Sequence, residues 1–188
     1  MTKHADWHII TGGPSTGKTT LQMELAKLGY ETVEEAARLE IDDAIAKGLT
    51  AEERREDEKR FQDDVVQRRV ELEAAVPRQK TVFLDRGMQD SLAYYRYYNF
   101  PIEDWIMNLV DQTRYGLVFL MEPLGFYKKD YARTEVLEFN DYITELLFEA
   151  YKEYGMKPVR VPAVSVEERL KIVLEHLKKY ETKRKPKV

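Results

Sequence analysis

Four stretches of the chain are apolar almost without interruption, and each ends abruptly: Trp7-His8-Ile9-Ile10-Thr11, Thr81-Val82-Phe83-Leu84-Asp85, Leu117-Val118-Phe119-Leu120-Met121 and Pro158-Val159-Arg160-Val161. Runs of this length without polar alternation predict strands buried on both faces, as in a parallel sheet. Glu31-Thr32-Val33 is a weaker fifth candidate. Between them the spacing of apolar residues is helical. Leu21, Leu25 and Leu28 mark a helix that opens at Lys18, and Leu170, Val173, Leu174 and Leu177 share one face of another. Two capping boxes add helix starts. Thr50-Ala51-Glu52-Glu53 predicts a charged helix running to about Ala75, and Ser165-Val166-Glu167-Glu168 opens the last one. Strand and helix alternate throughout, so the expected fold is α/β, a doubly wound parallel sheet with helices on both faces.

One loop changes this from a fold class into a chemistry. Directly after the first strand and opening the first helix stands Gly12-Gly13-Pro14-Ser15-Thr16-Gly17-Lys18-Thr19, followed by Thr20. It fits the phosphate-loop pattern G-x-x-x-x-G-K-[ST] at every fixed position. Glycines let successive backbone N–H groups converge on one anion, and the helix N-terminus adds the positive end of its dipole. The expected ligand is therefore a nucleoside triphosphate, ATP or GTP, with Lys18 on its β- and γ-phosphates and the Thr19 hydroxyl on Mg²⁺.

Phosphoryl transfer also needs a carboxylate near the metal. Asp85 closes the strand Thr81-Val82-Phe83-Leu84, where ligands gather in open α/β sheets, with a helix cap or turn residue as its plain alternative role. Arg86 beside it would face the transferred phosphate or an anionic acceptor. Glu35, after the weak strand, is a candidate proton acceptor, with a solvated first helical turn as the plain alternative. Residues 122 to 135 combine Pro123, Gly125, Lys128, Lys129 and Arg133, which reads as a lid that closes over phosphates with Arg133 stabilising charge. Tyr94, Tyr95, Tyr97 and Tyr98 cover most sides of a short helix; at least two belong in the core, and Tyr94 could wall a substrate ring.

Composition narrows the partners. Thirty Lys and Arg against 34 Asp and Glu give a net charge of −4, so no global basic field attracts nucleic acid or membrane. The absence of cysteine removes disulfides and thiolate metal sites, and His4, His8 and His176 have no metal-ligand spacing. No run of 18 apolar residues predicts a membrane span, and the expected location is cytoplasmic. One domain over residues 1–180 is expected, with 181–188 as a charged, frayed tail.

Ile10 to Leu21, then Glu35-Ala36-Ala37-Arg38, then Phe83-Leu84-Asp85-Arg86-Gly87 with Asp90 and Ala93-Tyr94, resemble the AAA_28 family of P-loop ATPases. That family is similar to the ribosylnicotinamide kinase domain of the NadR regulator and to TTD14 GTP-binding proteins. The resemblance implies a nucleoside- and nucleotide-kinase-like three-layer αβα sandwich, with five parallel strands ordered 2-3-1-4-5 and a lid after the fourth. It also implies that the loop Pro162-Ala163-Val164 passes beside the nucleotide base. Arg86 and Arg38, with Glu35 and Tyr94, would hold the acceptor. Two functions follow as expectations: a small-molecule kinase acting on a nucleoside-, nucleotide- or riboside-like acceptor, or a nucleotide-switched binding protein that hydrolyses ATP or GTP without one.

Overall fold

The computed structural model describes residues 2–4, 6–76, 80–124 and 137–184. Along the chain these form β1 (Thr2–His4), β2 (Trp7–Thr11), α1 (Lys18–Lys27), β3 (Glu31–Val33), α2 (Ala36–Ala46), α3 (Ala51–Arg54), α4 (Glu58–Ala75) and β4 (Val82–Asp85). They continue with α5 (Met88–Tyr97), α6 (Asp104–Gln112), β5 (Thr113–Tyr115), β6 (Val118–Met121), α7 (Leu137–Glu153), β7 (Val159–Val161) and α8 (Val166–Arg184). The central sheet is wholly parallel, in the order β3-β4-β2-β6-β7. Counting only its own strands, that is 2-3-1-4-5. A second, two-stranded parallel sheet pairs β1 with β5, Thr2 opposite Thr113, and was not expected.

The continuous apolar runs have a simple cause, because neighbouring side chains in a strand point to opposite faces and here both faces are covered. Ile10, Phe83, Phe119 and Met121 pack with Leu21 and Leu25 of α1 and Val173 and Leu177 of α8. Their neighbours Ile9, Leu84 and Val118 turn the other way, against Tyr151 of α7. On that side α5, α6 and α7 bury Leu92, Tyr95, Ile106, Ile143 and Leu147. Even the one polar residue inside the first run is satisfied: His8 Nδ1 accepts the Leu117 N–H at 3.0 Å. Burial lowers its pKa to about 4, which keeps the ring neutral.

Two helix boundaries differ from expectation. The Thr50 capping box is present in full, but the helix it opens stops at Arg54. Asp57 then accepts the Arg60 N–H at 3.0 Å and starts α4 afresh, while Arg55 turns aside to Glu58 and the Tyr98 hydroxyl. A capping carboxylate offers the backbone an alternative to continuing the helix. At the other end, α8 includes residues 181–184 of the expected tail, where Arg184 pairs with Asp6 and lies over the Tyr180 ring. No helix among the described residues is long and apolar enough to cross a membrane.

Candidate active site

Parallel pairing puts the carboxyl ends of β2, β3 and β4 side by side, with Ile10 opposite Asp85 and Val33 opposite Leu84. Everything that leaves the sheet at this edge therefore converges. From β2 comes the glycine loop. Gly12 has φ +139°, and a Cβ there would lie 2.6 Å from the Met121 carbonyl oxygen, so no other residue fits. A Cβ on Gly13 would lie 2.2 Å from Asn140 Oδ1 of α7. Thr16 Oγ1 donates to the Gly13 carbonyl at 2.9 Å, and Ser15 sits in the left-handed region at φ 58°. Gly17, at φ +85°, is the N-cap of α1 and supplies no side-chain cap to its first turn.

Lys18 is 3% exposed. Its Nζ folds back onto the loop and donates to the Gly12 and Gly13 carbonyls at 3.2 and 2.9 Å. Thr19 and Thr20 are exposed at the loop's mouth. From α8, Arg169 is buried against the loop and donates from Nη1 to the Thr16 carbonyl at 2.5 Å; its Nε and Nη2 have no hydrogen-bond partner among the described residues. Asn140 Oδ1 is likewise unpartnered there.

From β4 comes Asp85, 5% exposed, with Oδ1 lacking a partner among the described residues. Burial, then the neighbouring Glu35, pushes its carboxyl up, against the pull of Lys18 and Arg86. It does not cap the helix that follows. That role falls to Asp90, which accepts the Gly87 N–H at 2.9 Å. Asp90 is fully buried and gathers the Thr11 hydroxyl at 2.6 Å, Arg86 Nη1 at 3.2 Å and the Tyr151 hydroxyl. Arg86 itself has φ 70°, a left-handed conformation that an arginine adopts only when its surroundings hold it. Its N–H reaches the Ile10 carbonyl, its Nε donates to Glu35 at 2.7 Å, and its guanidinium lies 5.1 Å from the Tyr94 ring centre.

These groups open onto one cavity. Pro14 and Lys18 of the loop wall it on one side; Glu35, Arg38 and Ile41 of the β3–α2 region, Arg55, Phe61, Val65 and Arg69 of the α4 region, and Arg86, Ser91 and Tyr94 complete it. The expected residues Glu35, Arg38, Arg86, Tyr94 and Lys18 thus meet, with Asp85 behind Arg86 in a small adjoining hollow. Glu35 is engaged by Arg86 and is not a merely solvated first-turn residue. Ala163 and Val164 are exposed in the loop after β7. Arg133, Lys128, Lys129 and Gly125 lie outside the described residues. Sequence reasoning missed Asp90 as a hub, Arg169 and Asn140 against the loop, and the Phe61, Val65 and Arg69 wall. Only the last had a usable signal, since an arginine four residues beyond two apolar positions continues their helical face.

Comparison with known proteins agrees with this fold. A family model, AAA_28, an AAA domain, matches residues 7–169. Among solved structures, the NadR protein in complex with NR superposes with a TM-score of 0.70 at 21% identity, covering 93% of this chain and 50% of that one. The chain therefore spans about half the length of NadR. Deoxyadenosine kinase from M. mycoides, with products bound, gives a TM-score of 0.67 at 15% identity, over 92% of this chain and 99% of that one. Thymidylate kinase from Ehrlichia chaffeensis gives 0.64 at 16%, over 91% and 97%. No curated protein matches the chain.

Proposed function

We propose, from the premise that the chain belongs to the AAA_28 family, that it is a kinase transferring the γ-phosphoryl group of Mg-ATP to a nucleoside- or nucleotide-like small molecule. One observation carries the reading: Lys18 and Pro14 belong both to the glycine loop and to the wall of the neighbouring cavity, so a triphosphate in the loop would present its last phosphate to whatever fills the cavity. Its structural neighbours support it, because NadR, deoxyadenosine kinase and thymidylate kinase share the fold.

In this reading the uncapped first turn of α1 and the loop amides hold the phosphates. Lys18 exchanges two carbonyl oxygens for the β- and γ-phosphates. The donors present fit magnesium, a hard cation that takes oxygen ligands and shares its shell between few carboxylates, substrate phosphates and water. Asp85, with its buried and unpartnered oxygen, and the exposed Thr19 hydroxyl would hold it; the ion would neutralise charge on the transferred phosphate. Arg86, fixed by Glu35 and Asp90, would orient the acceptor. Ala163 and Val164 would border the base, and Arg133 would close over the phosphates.

The test is acceptor-dependent ADP formation, screened over nucleosides, nucleotides and vitamin-derived ribosides with ATP and with GTP. Turnover that rises with one acceptor class supports the kinase. Slow hydrolysis that no acceptor accelerates would sink it in favour of a nucleotide-switched binding protein.

A further inference from the structure

Five cations, Lys18, Arg38, Arg55, Arg69 and Arg86, line the cavity against a single carboxylate, Glu35. Two of them are also paired behind that wall, Arg55 with Glu58 and Arg86 with Asp90. The wall has a direction. Phe61, Val65 and Arg69 follow one another every four residues on α4, all buried and all facing the cavity, so they span about 12 Å of helix axis. At the Phe61 end the guanidiniums of Arg54 and Arg55 lie 5.0 and 5.2 Å from the ring, and Gln62 donates to Glu58 at 2.8 Å. At the other end Arg69 and Arg86 also line the small hollow that contains Asp85. Both ends carry guanidiniums, but at the Phe61 end they flank an aromatic ring and are met by Glu40, Asp64 and Glu58, whereas at the Asp85 end Arg69 and Arg86 stand side by side on the cavity wall.

Arg69 is the decisive group. It is 5% exposed, donates from Nη1 to Ser91 Oγ at 2.7 Å, and forms no ion pair among the described residues. Glu73, one turn further along α4, feels the Arg69 charge but forms no ion pair with it: its carboxyl accepts the Tyr115 hydroxyl at 2.6 Å, and burial outweighs the pull of Arg69 to push it up to about 7. A buried guanidinium without a direct ion pair is costly, and a ligand that brings the charge to it relieves the cost. The planar fork of arginine matches phosphate oxygens two at a time.

Building on the kinase reading, we propose that the acceptor is already phosphorylated, a nucleoside monophosphate or a close analogue, with its phosphate held by Arg69 and Arg86 and its base at the Phe61 end. Transfer then joins an oxygen of the acceptor phosphate to the γ-phosphorus of ATP and breaks the bond from that phosphorus to the β–γ bridging oxygen. ADP leaves with the electron pair, and the product carries a diphosphate. No proton has to be removed first, since a phosphate monoester is mostly dianionic above its second pKa of about 6. That suits a site whose nearest acidic wall residue, Glu35, is already engaged by Arg86.

The experiment is calorimetric titration of the full chain with matched pairs: thymidine and dTMP, cytidine and CMP, guanosine and GMP, nicotinamide riboside and nicotinamide mononucleotide. Each is run with and without Mg-AMP-PNP, which keeps the monophosphate out of the glycine loop. The expected result is a monophosphate that binds at least about 10-fold more tightly than its nucleoside, with Arg69→Gln weakening the monophosphate by about 10- to 100-fold. Nucleoside affinity should fall by less than monophosphate affinity, and circular dichroism together with AMP-PNP binding reports that the variant is folded. Arg69→Lys, which keeps the charge and loses the fork, should fall between the two. Equal affinity for nucleoside and monophosphate, no monophosphate binding at all, or an Arg69→Gln loss shared equally by both members of a pair overturns the proposal. A monophosphate bound through Arg69 that never accelerates ADP formation upholds the anion site and overturns the kinase reading alone.

Discussion

The glycine loop and the cavity beside it solve the problem of holding charge in opposite ways. The loop is one contiguous stretch, and its cation is held by backbone: Lys18 donates to the carbonyls of Gly12 and Gly13. The cavity is assembled from segments scattered from Pro14 to Tyr94, and most of its charges are settled by side chains, some paired, as Arg86 is with Glu35 and Asp90, and one, Arg69, bonded among the described residues to a hydroxyl alone. Backbone carbonyls do not titrate, whereas the buried carboxylates behind the cavity, Asp85 and Glu73, are both pushed upward by burial. The difference teaches where each kind of sensitivity lies. The loop should respond to shape and to loss of its one cation; the cavity should respond to pH.

Removing that cation is the hardest blow to this contrast. Lys18→Ala should weaken Mg-ATP binding by about 100-fold or more, because two charge-assisted contacts to phosphate are lost. Calorimetry on a variant shown by circular dichroism to be folded checks it, and unchanged affinity would remove the loop from the site. The pH prediction comes next. Glu73 has a folded pKa of about 7 against 4.5 for its ordinary value. Its contribution to stability is therefore complete below about 4.5 and is lost as pH rises to about 7, a total of about 3 kcal/mol at 1.36 kcal/mol per unit. Glu73→Gln keeps an acceptor for the Tyr115 hydroxyl and should flatten that slope. Denaturant unfolding of both proteins at pH 5 and pH 8 would show equal slopes if the carboxylate were not the cause.

Smaller effects sharpen the same comparison. Gly13→Ala forces a Cβ against Asn140 and should destabilise by about 2 kcal/mol, an overpacking cost that Asn140→Ala in the same chain should partly relieve. Thermal unfolding of the two singles and the double measures the coupling. Asp85→Asn should raise the stability of the ligand-free protein at pH 8 by about 1 kcal/mol, since its folded pKa is raised and the ionised form is the disfavoured one there. The same change should cut turnover severely if Asp85 holds the metal. A variant that gained stability and kept full turnover would make Asp85 only a strained core group.

The contrast also explains what was legible beforehand. The glycine loop could be read because its parts are adjacent in sequence and each has a local reason to be there. The strands could be read because burial on two faces leaves an uninterrupted apolar run, even in Trp7–Thr11 with its histidine. The β1–β5 pair could not, because Thr2, Lys3 and His4 carry no apolar run and the pairing depends on backbone groups of a distant segment. The stop after Arg54 was hidden by the capping box just before it: the sequence shows a good helix start at Thr50 and a second at Asp57, and the choice between one helix and two lies with the Asp57 cap and the contacts of Arg55 to Glu58 and Tyr98. Within the site, Asp85, Arg86 and Glu35 stood at predictable strand ends, while Asp90 and Arg69 acquire their surroundings from helices far away in the chain, Tyr151 and Ser91 among them.

The contact between Gly13 and Asn140 ties the loop to the fourth residue of α7, the helix that begins at Leu137, just after the segment containing Lys128, Lys129 and Arg133. A methyl group on Gly13 would meet the end of the Asn140 side chain, so a change of loop shape there is answered by Asn140 or by the helix that carries it. Two elements joined in this way share a coupling free energy, and such energies act equally in both directions. An anion that reshapes the loop biases the first turn of α7, and anything that holds that turn alters the loop's affinity for the anion by the same factor.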